Sequence, residues 1–154
     1  MTSRTITLYN PTPLIDLAVQ FKNMSHPVQL EETRNLMPEV PGPALQFDTH
    51  VAVGEAAVLG WLERRFPAPV IFPQDIELYA RASTLAHAIL SNPDCITPLW
   101  DALKSRPHPF LTGNAPNLAD LAMCVVIRDN PEYRKYFERV MQFDRTLNAG
   151  GGEE

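Results

Sequence analysis

Cysteine and histidine, the residue types that most often carry chemistry, are few and scattered in this chain. Cys95 and Cys124 form no Cys-x-x-Cys pair, and both lie in apolar segments with a helical pattern, which is typical of buried free thiols. None of the four histidines has a second metal-binding residue one helical turn away. The sequence therefore predicts two buried thiols and no metal site.

A capping box is the clearest polar motif. Asn117 and Asp120 stand three residues apart at the start of an apolar run over residues 118–127, a spacing in which the two side chains accept hydrogen bonds from backbone N–H groups of the first helical turn. Asp120 is the one acidic residue that we expect to be buried, and its expected role is that of a structural cap. The sequence contains no phosphate-binding glycine loop and no Gly-x-Ser-x-Gly motif, so the residue types and spacings alone indicate no catalytic constellation.

The composition is that of a folded, acidic protein. The chain has 154 residues, of which 45% are hydrophobic, and 18 acidic against 13 basic residues give a formal net charge of −5. Direct binding to nucleic acid is therefore not expected. No apolar run approaches the ~20 residues of a membrane span, and the first residues lack the apolar stretch of a signal peptide. We therefore expect a cytoplasmic protein.

Fifteen prolines separate the periodic segments and indicate where elements begin and end. In the first half, the patterns predict strand 5–9, helix 13–24, strand 26–30, strand 44–47, strand 51–53 and helix 54–65. The second half has only helical patterns, at 75–90, 96–104, 118–127 and 131–147. We therefore predict an α/β domain over 1–66, a proline-rich linker over 67–74, a helical domain over 75–147 and a flexible tail over 148–154.

This organisation resembles the glutathione transferase superfamily, in which a thioredoxin-like α/β domain precedes an all-α domain. Residues 41–45 are similar to the family's loop before the third strand, residues 54–67 to the helix that opens with an acid and a serine, and residues 109–122 to the buried, capped helix. The resemblance implies a cis peptide bond before Pro43. The helical domain is shorter than the family's, because its first helix ends near Leu90 and a turn leads at once to a short partner helix.

The resemblance also implies a glutathione site, in which several residues are changed. The family's catalytic hydroxyl or thiol lies at the start of the first helix, where this chain has Thr12; a threonine there either donates to a glutathione thiolate or caps the helix. Tyr9 offers another hydroxyl, unless strand alternation buries it in the core. Ligand-binding positions correspond to Pro43, Gly54 and Glu55, and the carboxylate of Glu55 would repel the carboxylate of glutathione.

Within the superfamily, one branch is more similar: stringent starvation protein A, which associates with RNA polymerase and has no transferase activity. Residues 61–73 and 136–147 resemble that branch. Its Pro-His-Pro surface motif corresponds to Pro67, Ala68 and Pro69, so the histidine is replaced. Two prolines around a small residue still form a rigid surface that loses little entropy on binding. The resemblance implies a partner-binding surface made of Pro67, Ala68, Pro69, Val70 and Tyr79.

Three functions follow as expectations. The first is a non-catalytic, cofactor-free regulator of transcription that binds RNA polymerase or its sigma factor. The second is a minimal glutathione-dependent transferase, or a glutathione-binding protein, that uses Thr12. The third is a scaffold that uses the fold to oligomerise; homodimers are usual in the superfamily, but the shortened hairpin borders the usual dimer surface. Residues 67–74 could also serve only as a linker.

Overall fold

The computed structural model describes residues 6–22, 28–31, 43–105 and 109–143. Contacts along the chain group it into two compact units, Met1–Pro67 and Ala68–Glu154. The first combines a sheet with helices and the second is helical. The α/β-plus-all-α fold class predicted from the sequence is confirmed.

The first unit is built on a four-stranded mixed sheet in the order β2-β1-β3-β4. Its strands are β1 (Ile6–Tyr9), β2 (Val28–Glu31), β3 (Ala44–Phe47) and β4 (His50–Val53). β1 pairs in parallel with β2 and antiparallel with β3, and β3 pairs antiparallel with β4. The parallel pair requires a crossover, which helix α1 (Pro13–Lys22) supplies. Residues 26–27, included in the predicted second strand, lie outside the described part of the chain.

Apolar residues at strand and helix spacing form the core of this unit. Helix α2 (Glu55–Arg65) follows β4 and packs against α1 and the sheet. α1 buries one apolar face, as its spacing predicts. The fully buried side chains of the unit include Ile6, Leu8, Ile15, Leu17, Ala18, Phe21, Leu45, Val58 and Leu62.

The second unit is organised around one buried helix. Helix α5 (Leu118–Ile127) buries seven of its ten residues, and helix α3 (Ile76–Ser91) packs along it. A 3-10 turn at Pro93–Cys95 leads to the short helix α4 (Ile96–Lys104). The prediction of α5 as the central buried helix is therefore confirmed. The predicted linker segment contributes to this unit as well, since Ile71 is fully buried and its carbonyl accepts a hydrogen bond from the N–H of Leu118 at 3.0 Å.

The last helix differs from its prediction at its beginning. The sequence predicts one helix from Pro131, whereas Pro131–Tyr133 form a 3-10 turn and helix α6 covers Arg134–Met141. The predicted cap is present, because the side chain of Asn130 accepts a hydrogen bond from the N–H of Glu132 at 3.0 Å. The predicted continuation to residue 147 lies outside the described residues after position 143.

Two further expectations concern prolines and cysteines. The implied cis bond before Pro43 involves residue 42, which the structure does not describe; the cis bond that it does contain joins Ala68 to Pro69. Cys124 is buried as predicted, but Cys95 is only half-buried, because it lies in the turn between α3 and α4 rather than inside a packed helix.

Candidate functional site

Thr12 occupies the N-terminal end of α1. Its carbonyl accepts a hydrogen bond from the N–H of Asp16 at 3.0 Å, and its hydroxyl oxygen accepts one from the N–H of Ile15 at 3.3 Å. These two bonds are those of a helix N-cap. The capping role that the sequence predicts as one alternative for Thr12 is therefore present in the structure.

The same hydroxyl also donates a hydrogen bond, and its acceptor is Glu55. The Thr12 hydroxyl donates to carboxylate oxygen Oε2 of Glu55, which is the first residue of α2 and lies 43 positions after Thr12. A threonine hydroxyl has one hydrogen to donate. While this bond is made, Thr12 has no hydrogen left for a bound thiolate.

Gly54 lies beside Glu55, at the start of α2. It is the N-cap residue of that helix with φ 98° and ψ 150°, and no side chain caps the helix end. Its N–H donates to the carbonyl of Pro43 at 2.8 Å. The chain therefore brings together Thr12, Pro43, Gly54 and Glu55, which are the residues that the sequence analysis assigns to a glutathione site.

Tyr9 does not join this group. Its hydroxyl donates to the side-chain oxygen of Gln46 across the sheet at 3.2 Å, and its side chain is half-buried. The expectation that strand alternation buries Tyr9 in the core is wrong, since Ile6 and Leu8 occupy the buried face of β1.

The electrostatics of the site combine two helix N-termini with one carboxylate. The N-terminus of α1 and the uncapped N-terminus of α2 both favour negative charge. Glu55 satisfies part of this preference from within the chain. A ligand with a thiolate or carboxylate would meet a favourable helix-end potential and, at the same place, the competing charge of Glu55.

A second polar cluster lies inside the helical unit. Both bonds of the predicted capping box are present between Asn117 and Asp120. Asp120 also accepts hydrogen bonds from the N–H of Leu111 at 3.0 Å and from the hydroxyl of Tyr136. Burial raises the pKa of Asp120 more than these bonds lower it, and burial also raises the pKa of Tyr136 and of the thiol of Cys124. Asp120 and Tyr136 are almost completely buried, so their hydrogen bond joins α5 and α6 inside the unit.

The predicted partner surface is only partly exposed. Four of its five residues are exposed: Pro67, Ala68, Val70 and Tyr79. The exposed fraction is 45% for Val70 and 44% for Tyr79. Pro69, in contrast, is buried. The ring of Tyr79 lies against Phe72, with centroids 6.2 Å apart. Pro69 is therefore a packing residue, and no sequence pattern separates it from its exposed neighbours.

Two other site classes are not found in the described part of the chain. Residues 6–22, 28–31, 43–105 and 109–143 contain no group of three or more histidine, cysteine or acidic side chains placed to hold a metal ion. Within the same ranges, no helix is long and apolar enough to cross a membrane.

Sequence reasoning missed two polar contacts of the first unit. The Thr12–Glu55 bond joins positions whose spacing along the chain carries no pattern. The ammonium group of Lys22, whose side chain is fully buried, lies 2.8 Å from Oε1 of Glu63 and also donates to the carbonyl of Phe66. A lysine on the apolar side of α1 was the available signal, since a buried lysine requires an acidic or carbonyl partner.

Comparison with known proteins identifies the architecture. No protein-family model and no curated protein matches the sequence. Among solved structures, a glutathione S-transferase from Rhodospirillum rubrum F11 matches with a TM-score of 0.63 at 17% identity, covering 86% of each chain. Maleylacetoacetate isomerase from Anaeromyxobacter dehalogenans 2CP-1 matches with a TM-score of 0.58 at 20% identity, covering 96% of this chain and 88% of the isomerase.

A third structure carries a ligand. A glutathione transferase homologue from Burkholderia, solved with bound glutathione, matches with a TM-score of 0.60 at 19% identity, covering 89% of this chain and 91% of that one. At these identities the likeness establishes the fold. The chain has the fold of the glutathione transferase superfamily.

Proposed function

We propose that this protein binds glutathione, or a closely related thiol peptide, at the site formed by Thr12, Pro43, Gly54 and Glu55. The observation that carries the proposal is that residues from three distant segments converge there, with the Thr12 hydroxyl at one helix N-terminus and Glu55 at another. The glutathione-bound structure with the same fold supports the choice of ligand.

Binding at this site includes an exchange of hydrogen-bond acceptors. The Thr12 hydroxyl donates to Glu55 in the free protein, so a thiolate has to replace that carboxylate as its acceptor. The carboxylate of the γ-glutamyl group would also lie near Glu55, and two carboxylates about 4 Å apart repel each other by about 1 kcal/mol in water and more in a partly enclosed site. We therefore propose weak binding that Glu55 limits.

The experiment is a calorimetric titration of the wild-type chain and of E55S with reduced glutathione. E55S removes the competing carboxylate and frees the Thr12 hydrogen, and we expect it to bind at least about tenfold more tightly than the wild type, which corresponds to about 1.4 kcal/mol. E77S is the matched control, because Glu77 is also a first-turn acid, on α3. It should bind as the wild type does.

A second variant tests the role of the hydroxyl. T12V in the E55S background should remove the donor to the sulfur, so the thiolate absorbance of bound glutathione at a given pH should fall. The absence of binding heat at millimolar glutathione, for both the wild type and E55S, would contradict the proposal.

We propose one further candidate function, the binding of RNA polymerase or its sigma factor through the exposed side chains of Val70 and Tyr79. What supports it is the exposure of these side chains, 45% and 44%; Val70 lies in the segment 61–73 that resembles stringent starvation protein A, and Tyr79 lies on the helix that follows it. Large apolar side chains that are left in water are typical of interaction surfaces. Regulation of transcription would follow from such a contact.

The test uses purified polymerase core and holoenzyme from the host in a direct binding assay. V70D and Y79A should each weaken binding at least tenfold. L90D is the matched control, because Leu90 is also an exposed apolar residue of α3, with 40% exposure. A change at the buried Pro69 would test packing instead, so it is avoided. Equal binding by all variants, or no binding by the wild type, would refute this assignment.

A further inference from the structure

The helical unit contains a cavity whose lining includes none of the residues assigned to the two proposed functions. It has a volume of about 430 Å³ and opens to solvent. Ligand pockets start at about 300 Å³, so its size suits one ring or a medium-length alkyl chain. It is lined by four residues of α3, one of α4 and one that precedes α5: Ala80, Arg81, Thr84, Leu85, Leu99 and Leu111.

The cavity follows from the way in which the helices pack. α3 turns Ala82, Ala86 and Ile89 inward and buries them, and it packs chiefly against α5. The neighbouring face of α3 carries Arg81, Thr84 and Leu85, which line the cavity together with Leu99 of the nine-residue helix α4. The space between the two helices remains as the cavity.

The apolar part of the cavity is rigid at its base. Leu111 is 1% exposed, and its N–H donates to the carboxylate of Asp120 at 3.0 Å, which fixes it to the capping box of α5. Leu85 and Leu99 are half-buried and line the sides. Leu85 and Leu99 therefore offer their apolar side chains to a ligand, above a base in which a buried backbone hydrogen bond holds Leu111 in place.

Two groups of α3 add hydrogen-bond donors beside this apolar surface. Arg81 and Thr84 are three residues apart, so they lie on the same face of the helix. Within the described ranges, the guanidinium of Arg81 makes no hydrogen bond and no ion pair, although Glu77 precedes it by one helical turn. Arg81 lines the cavity and is exposed to solvent, and no protein carboxylate is bound to its guanidinium, so this group is free to bind an anion.

We infer that this cavity binds an amphipathic monocarboxylate, with its carboxylate on Arg81 and Thr84 and its alkyl or aryl body against Leu85, Leu99 and Leu111. The planar guanidinium matches the two oxygens of a carboxylate in a bidentate pair. One guanidinium balances one negative charge, and the chain already carries a net charge of −5, so a monoanion fits better than a phosphate dianion.

The test compares octanoate with 1-octanol, which has the same chain length and no charge. Binding is followed by amide chemical shifts of the isotope-labelled full chain, below the concentration at which octanoate forms micelles. We expect saturable binding of octanoate, with the largest shifts at residues 80–85 and at Leu99 and Leu111. R81Q should weaken octanoate binding at least tenfold and leave 1-octanol binding within twofold of the wild type.

R134Q is the matched control, since Arg134 is an exposed arginine on α6 of the same unit. L85N is the second variant, and it should weaken both ligands because it removes apolar contact from each. The inference is overturned if octanoate does not saturate, if R81Q binds octanoate as the wild type does, or if R134Q causes the same loss as R81Q. None of these results depends on glutathione, so this site and the proposed thiol site fail separately.

Discussion

Removing the carboxylate of Asp120 should destabilise the helical unit more than any other single change in that cluster. The side chain is completely buried and accepts hydrogen bonds from Leu111, Asn117 and Tyr136, all of which are buried too. In D120A, the three donors lose their acceptor in a place that water does not reach. Each such loss costs about 1–3 kcal/mol, and partial relaxation reduces the sum, so we expect D120A to lower the free energy of unfolding by about 3–5 kcal/mol.

The isosteric change D120N separates hydrogen bonding from packing. Its amide oxygen can still accept from Leu111 and Tyr136, but its NH₂ group faces the N–H of Asn117, which lies 3.1 Å from Oδ2 of Asp120 in the wild type. Two donors then point at each other, so one bond is lost and the expected cost is about 1–3 kcal/mol. The two variants should therefore differ by about 2 kcal/mol, within a total stability of typically about 5–15 kcal/mol.

Urea unfolding followed by tryptophan fluorescence measures these values. Trp100 lies 4.8 Å from the ring of Tyr133 and 5.7 Å from that of Tyr136, so it reports on the helical unit; the background substitution W61F removes the signal of the first unit. A D120A variant within 1 kcal/mol of the wild type would refute the argument, because the three bonds would then have no net value. Y136F should cost less than D120N, since the carboxylate keeps its two backbone donors.

Three other changes test the remaining polar and backbone features. K22M should lower the free energy of unfolding of the first unit by about 2–4 kcal/mol, because it removes the buried donor to Glu63 and to the carbonyl of Phe66. Urea unfolding followed by Trp61 fluorescence measures this loss, and the double variant K22M/E63M should recover part of it. G54A should lower the free energy of unfolding by about 1–3 kcal/mol, because φ 98° and ψ 150° at that residue are accessible almost only to glycine. G60A should raise it by about 0.5–1 kcal/mol, because Gly60 lies inside α2 with open space around it. Burial raises the pKa of Asp120 above its ordinary value of 3.8. Between that value and the folded-state pKa, the folded protein holds a proton that the unfolded chain has released, so the free energy of unfolding should fall as the pH rises through this window. The urea midpoint of the wild type should therefore fall relative to that of D120N over the same window.

The sequence was most informative where a local pattern and a cap coincide. The apolar run of α5 and the Asn117–Asp120 spacing indicate the same buried helix, and both are present. The first strand was found because residues 5–9 alternate polar and apolar side chains, and the third and fourth because short apolar segments flank the turn at residues 48–50. The faces of α3 were less predictable: Ile76 and Tyr79 have the spacing of a buried stripe, yet they are 79% and 44% exposed. Helical spacing defines a stripe, but only the tertiary packing decides how far along the helix that stripe is covered.

Contacts between distant positions could not be predicted in this way. Glu63 and Lys22 lie 41 residues apart, and their pairing depends on how α1 crosses α2. The same reasoning applies to Leu111, whose apolar side chain indicates a core position but whose N–H turns out to be a third donor to Asp120. Periodicity describes one element at a time, whereas these bonds join two elements.

The carboxylate of Glu55 acts on the proposed glutathione site in two ways. From the sequence, its carboxylate is a negative charge that stabilises the N-terminus of α2 and would repel the carboxylate of glutathione. In the structure the same carboxylate accepts the hydrogen bond of Thr12, so it also determines whether the hydroxyl can act. Repulsion of the ligand's carboxylate and withdrawal of the Thr12 donor are two separate effects of one side chain. A change of Glu55 to serine removes both, whereas a change to glutamine removes the charge and keeps an acceptor for Thr12. If E55Q restores most of the glutathione affinity that E55S gains, repulsion is the larger effect; if it restores little, the occupied hydroxyl is.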